Sequence, residues 1–187
     1  MEKEPEILSS KLIHKGWLKL IVDKLKLHHI DKPYYYDVVK INNGVAVLPF
    51  LDMETLLLAE QYRHPAKKYF LEPIQGGIKK GESYEDAARR ELLEDTDYVG
   101  DLHHLTSIYP LPAAIDMELN FFFVTNIKKI QEPQLDKFES LRIVEKDYSN
   151  VVEGVLSGEH KDGALQLLVR SFDADKISYW CDLFSHN

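Results

Sequence analysis

Between Gly76 and Asp97 the chain changes character, and that change narrows what it can fold into more than any other feature. Gly76, Gly77 and Gly81 let the backbone turn sharply and pass close to a neighbour. Ser83 then stands as a helix N-cap with Glu85 and Asp86 in the first turn, and the Ala-, Leu-, Glu- and Arg-rich run from Tyr84 to Asp95 has high helix propensity. What precedes this run reads as strand. Leu12 to Leu27 and Tyr34 to Ile41 alternate between apolar and polar residues, and Val45 to Phe50 is apolar almost throughout, as in a strand covered on both faces. Thr55 to Gln61 follows. One strong helix after so many strands argues against regular βαβ alternation and for an α+β architecture, a sandwich of helices around a mixed sheet.

Further strands are expected at Leu105 to Tyr109, Leu119 to Thr125 and Leu141 to Val144, a polar loop at Gln131 to Glu139, and helices at Tyr148 to Leu156 and Ala164 to Phe172. The aromatic strands before Val45 suggest an N-terminal β extension, residues 1–43, ahead of a main domain, residues 44–187. With 44% hydrophobic residues the main domain can build a sizeable core. No apolar run is long enough to span a membrane, and no leader-like segment opens the chain. The single cysteine, Cys181, cannot form an internal disulfide, so cytoplasm is the expected compartment. A net charge of −8 disfavours nucleic acid as a partner. A phosphorylated ligand would need a cation or placed arginines to offset that field.

Glu91, Glu94 and Asp95 lie three and four residues apart on one turn of the expected helix, where their carboxylates could converge on one ion. Their sector overlaps the apolar stripe of Tyr84, Ala87, Ala88 and Leu92, and oxygen-only ligands suit Mg²⁺ or Mn²⁺ better than zinc. An exposed acidic helix paired with Arg89 and Arg90 is the alternative from spacing alone.

Read together, Gly76, Glu82, Arg90, Glu91, Leu92 and Glu94 match the pattern G-x5-E-x7-R-E-U-x-E-E-x-G-U, in which U is aliphatic, and here the chain resembles a Nudix hydrolase. Asp95 replaces the second Glu of the Glu-Glu pair, and Asp97 replaces the final Gly, a left-handed position that Asp tolerates. Gln61-Tyr62-Arg63, Pro65 and Glu72 extend the resemblance towards the ADP-ribose pyrophosphatase branch. The resemblance implies a Nudix-like α/β/α sandwich and Mg²⁺-dependent hydrolysis, Mn²⁺ being possible, of the pyrophosphate of ADP-ribose or a related nucleoside diphosphate sugar.

By the same resemblance the Gln75 carbonyl, Glu91 and Asp95 would be metal ligands, and Glu94 and Glu82 would assist through water or hydrogen bonds. Arg90 would orient the carboxylates, and Arg63 would grip substrate phosphate unless it is an ordinary surface ion pair. A later loop acid would complete the site as base, with Glu139 matching best and Asp136 second, alongside Glu94. Glu118 is displaced by one from a further glutamate of the branch. Trp17, Tyr34, Tyr35 and Tyr36 would stack on a base, or else pack as strand aromatics. His28-His29 and His103-His104 are expected in turns or at the surface. The N-terminal strands would pair two subunits as a homodimer. Two rivals remain, a pyrophosphatase for another nucleoside diphosphate hexose and a non-catalytic nucleotide-sugar sensor.

Overall fold

The computed structural model describes residues 4–130 and 141–171. It divides into two compact units, one formed by the chain up to Asn43 with Ser107–Leu119, the other by Gly44–Thr106 with the chain from Asn120 onward.

The first unit carries a four-stranded sheet in the order β1 (Glu6–Lys15), β2 (Lys19–Lys26), β3 (Tyr34–Lys40) and β9 (Ile115–Asp116). β1, β2 and β3 run antiparallel, while β3 pairs in parallel with β9 through Val39 and Ile115. Lys40 Nζ meets Asp116 Oδ2 at 2.6 Å, and the Tyr36 hydroxyl donates to the Ala113 carbonyl at 2.6 Å. Strand structure begins at Glu6, earlier than the alternation from Leu12 suggests. Trp17 is in the reversal between β1 and β2 and not within a strand, because Gly16 closes a turn there with its N–H on the Leu18 carbonyl at 2.9 Å.

The second unit is α+β. One sheet has the order β7 (Ile74–Gly77), β4 (Gly44–Pro49), β10 (Leu119–Lys129), β8 (Tyr98–Ile108), and a three-stranded sheet has the order β11 (Leu141–Asp147), β5 (Thr55–Arg63), β6 (Lys68–Glu72). α1 (Tyr84–Thr96) packs on β7 and β4, α2 (Tyr148–Ser157) on β11, and α3 (Gly163–Ser171) on β6. Residues 45–48 and 119–125 are buried throughout, so β4 and β10 are covered on both faces. Ala87, Ala88 and Leu92 of α1 enter a core with Val45, Val47, Ile74, Phe122 and Val124.

Strands β6, β7 and β9 are not evident from sequence. Pro73 separates β6 from β7, and Gly76-Gly77 has little strand preference, yet pairing of Gly44 with Gly77 and Val45 with Gly76 holds this segment extended. His104 is exposed, as expected, whereas His103 is partly buried. Both are in β8, where His103 stacks on Phe123 with ring centroids 4.6 Å apart and His104 packs edge-on to Phe122. Burial pushes the His103 imidazole below its ordinary pKa.

Candidate active site

Helix α1 is placed by its ends. The Ser83 hydroxyl oxygen accepts the Asp86 N–H at 3.0 Å, and Gly81, at φ +83°, makes the turn into that cap. At the other end Asp97 adopts φ 62° and donates its N–H to the Leu93 carbonyl at 2.9 Å, the left-handed C-cap expected of it. Its carboxyl is buried, and Oδ2 has no hydrogen-bond partner among the described residues, a cost that glycine at this position avoids.

Within this frame Arg90 connects the segment from Gly76 to Asp97, the box of the matched pattern, internally. Its Nε and Nη2 donate to the two oxygens of Glu82 at 2.7 and 2.9 Å. Nη1 donates to Glu91 at 2.5 Å and to Glu94 at 3.0 Å, and Nη2 also reaches the Gly77 carbonyl at 2.9 Å. Glu82 in addition accepts the Lys79 N–H at 2.8 Å, which ties the glycine loop to the helix. These bonds, Arg90 foremost, pull the Glu82 carboxyl down to a pKa of about 2.

Glu91 is in a different position. Its carboxyl is only 13% exposed, and burial raises its pKa although Arg90 pulls the other way. It lies directly over Gly76, where an added Cβ would fall 1.8 Å from the carboxyl carbon and 2.0 Å from Oε1. No side chain larger than hydrogen fits at residue 76 unless Glu91 moves. A desolvated carboxylate held against bare backbone is a fitting ligand for a small hard cation.

Beside it, Gln75, Asp95 and Arg63 line a cavity of about 60 Å³ together with Gln61, Glu72 and Leu141. Residues expected to ligate metal and residues expected to hold phosphate therefore meet around one space. Among the described residues no three Asp, Glu, His or Cys groups form a ready-made metal cage. Mg²⁺ commonly keeps several waters and takes one or two carboxylates, so this donor set of carboxylates and a carbonyl suits it.

Arg63 is both an ion pair and a wall of the cavity. Its Nε donates to both Glu72 oxygens, at 2.9 and 3.0 Å, and its Nη2 to Oε2 at 2.5 Å. Glu72 is 2% exposed and the Arg63 side chain 43%, so a buried carboxylate aims a guanidinium that remains accessible. Sequence reasoning missed that role for Glu72. It also missed Asp162, whose Oδ1 accepts the Leu165 N–H at 2.8 Å at the start of α3 and whose carboxyl is acted on by both Glu72 and Arg63. An Asp just before the Ala164 helix was the available signal.

Trp17 and Glu118 belong to the first unit. Trp17 is 86% exposed, and the Glu118 N–H donates to Asn43 Oδ1 at 3.0 Å. Glu139 and Asp136 lie outside the described residues.

The sequence profile of the NUDIX domain matches residues 40–148. Over 159 residues, 84% of this chain and 83% of the relative, the sequence is 29% identical to the ADP-ribose pyrophosphatase of Bacillus subtilis (strain 168). It is 26% identical over 143 residues to the GDP-mannose pyrophosphatase of Salmonella paratyphi B, covering 71% of this chain and 74% of that protein. In the crystal structure of an ADP compounds hydrolase, 99% of that chain superposes on all of this one with a TM-score of 0.80 at 20% identity, which establishes the fold.

Proposed function

The chain belongs to the NUDIX family, and on that ground we propose that this Nudix-type nucleoside diphosphate sugar hydrolase cleaves the pyrophosphate of ADP-ribose with Mg²⁺. The products would be AMP and ribose 5-phosphate. The observation that carries the reading is the shared cavity of Gln75, Asp95 and Arg63, beside the Glu91 carboxyl seated on Gly76. The similarity to an ADP-ribose pyrophosphatase supports the choice of sugar.

In this reading Arg63, aimed by Glu72, holds a phosphate of the substrate. Arg90 keeps Glu82, Glu91 and Glu94 in register, so that Glu91 and Asp95, with the Gln75 carbonyl, can hold the cation and Glu94 assists through water. A divalent cation at this place neutralises charge on the phosphate oxygens and acidifies water. Water adds to one phosphorus, the bridging oxygen departs with the other phosphate, and Glu139 or Asp136 accepts the proton. Trp17 is the candidate to stack on the base, while Glu118 is a weaker contributor. A homodimer through β1 to β3 belongs to the same proposal, supported by the exposed Ile7, Leu8, Leu12, Ile13 and Trp17 of those strands and their turn.

A panel of nucleoside diphosphate sugars, assayed with Mg²⁺, with Mn²⁺ and with chelator, tests the proposal. ADP-ribose should be turned over with the highest kcat/KM, and chelator should abolish turnover. Preference for a GDP, UDP or ADP hexose would transfer the assignment to that sugar, as the similarity to a GDP-mannose pyrophosphatase allows. Tight binding without turnover of any member would establish the sensor instead.

A further inference from the structure

The mechanism above gives no part to Lys79, yet its side chain reaches into the acidic cluster. Its Nζ meets Glu94 Oε1 at 3.5 Å, while Arg90 Nη1 donates to the other oxygen of Glu94 at 3.0 Å. Both oxygens of Glu94 therefore face a cation. The Lys79 backbone is fixed by Glu82, whose Oε2 accepts the Lys79 N–H at 2.8 Å and whose own N–H donates to the Lys79 carbonyl at 3.0 Å. Arg90 grips that same Glu82 carboxyl with Nε and Nη2, so the root of the lysine is tied to the helix that carries Glu94.

Charge decides what such a lysine does. Glu82, Glu91, Glu94 and Asp95 bring four negative charges when ionised, and Arg90 and Lys79 return two positive ones. The two that remain are what one divalent ion balances. A second ion would leave the cluster with excess positive charge, and to reach Glu94 it would have to displace the ammonium or sit beside it. The Arg63–Glu72 pair cancels within itself and leaves this balance unchanged. The side chains of Lys79 and Glu94 are 63% and 52% exposed, so their pairing contributes little to stability. Its effect falls on ions that compete for Glu94.

We propose that Lys79 is a resident counter-cation of the site: by holding Glu94 it takes the place of a second divalent ion, so that the substrate-free protein binds one. This rests on the reading that Glu91, Asp95 and the Gln75 carbonyl hold the cation. Without the ammonium, three negative charges are left to balance and an oxygen of Glu94 loses its cation, which is the kind of ligand a small hard ion takes. A second ion then enters, and the first is held more tightly.

Mn²⁺, titrated into the full-length, substrate-free protein and followed through the EPR signal of the unbound ion, tests this. The unsubstituted protein should take up one ion per chain. Lys79→Met keeps the length of the side chain and the backbone bonds to Glu82 while removing the charge. It should take up two, the first about tenfold more tightly than before. Lys79→Arg should return to one, and adding Glu94→Gln to the Lys79→Met protein should lose the second. Absence of a second ion in Lys79→Met overturns the proposal, whatever the affinity of the first, as does a second ion in the unsubstituted protein or in Lys79→Arg, or one that survives Glu94→Gln. Glu91→Gln keeps the two readings apart. If it abolishes the tighter binding while Lys79→Met changes nothing, the counter-cation alone falls; if it leaves binding unmoved, the site assignment falls and the counter-cation with it.

Discussion

In the segment from Gly76 to Asp97 Arg90 is bonded to Glu82, Glu91 and Glu94, whereas in β1 every residue is exposed and Ile7, Leu8, Leu12 and Ile13 lie bare. The first region is closed within itself. Arg90 alone joins Glu82, Glu91, Glu94 and the Gly77 carbonyl, all within a span of a few turns. The N-terminal sheet is closed by backbone pairing between β1, β2 and β3, but its apolar side chains find little cover in their own unit. The contrast teaches that the box can hold its geometry from local sequence, while the extension has a face that calls for another surface.

The comparison breaks first, and most heavily, at Glu91. Glu91→Gln preserves size and leaves Arg90 bonded to Glu82 and Glu94, so the internal closure of the box should survive. What goes is the charge of the proposed ligand, a carboxylate already desolvated over Gly76. We expect kcat to fall by about 100-fold or more, the scale on which losing a ligand or its support affects metal sites. The melting temperature should stay within about 4 °C, since only a partly buried ion pair is altered. Most of the activity retained in a folded variant would remove Glu91 from the metal site.

A smaller effect is expected from the other region. Deleting the residues before Asn42 removes β1 to β3 and with them the exposed aliphatic face and Trp17. If that face joins two copies about a two-fold axis and helps wall the pocket, the truncated chain should be a monomer with KM raised about tenfold and kcat less affected. Light scattering at micromolar concentration checks the premise. A full-length chain that runs as a monomer would show that the exposed face serves something other than a second copy.

The two regions also differed in what could be read from the residues. The α1 helix, its Ser83 cap and the left-handed Asp97 were legible because each depends on neighbours a few positions away. Gly76 was legible as a point of close approach, though not that Glu91 is the group approaching it. Strand β7 was hidden because its extended form comes from pairing with β4, some thirty residues earlier in the chain. The partnership of Arg63 and Glu72 was hidden likewise, since a hairpin register sets it. Asp162 illustrates the same limit, because its capping of α3 is local while the burial that raises its pKa exists only once the chain is packed.

The smallest expected effect sharpens the picture of the box. Asp95 follows Glu91 by one helical turn and lines the cavity with Gln75 and Arg63, so it is on the correct side of α1 to share an ion. Asp95→Glu adds one methylene and leaves the charge unchanged, so the field in the cavity and the bonds of Arg90 should be preserved. Only reach differs. If the shorter arm holds the cation through an intervening water, the longer one can replace that water, and the Mg²⁺ midpoint for activity should fall by roughly two- to fivefold. Mn²⁺, which binds N and O donors more readily, should gain less, so the ratio of the two midpoints should move towards Mg²⁺. Midpoints that stay put for both ions would mean that Asp95 already reaches the site, and that the loop and α1 sit closer together here than a Glu-Glu pair requires.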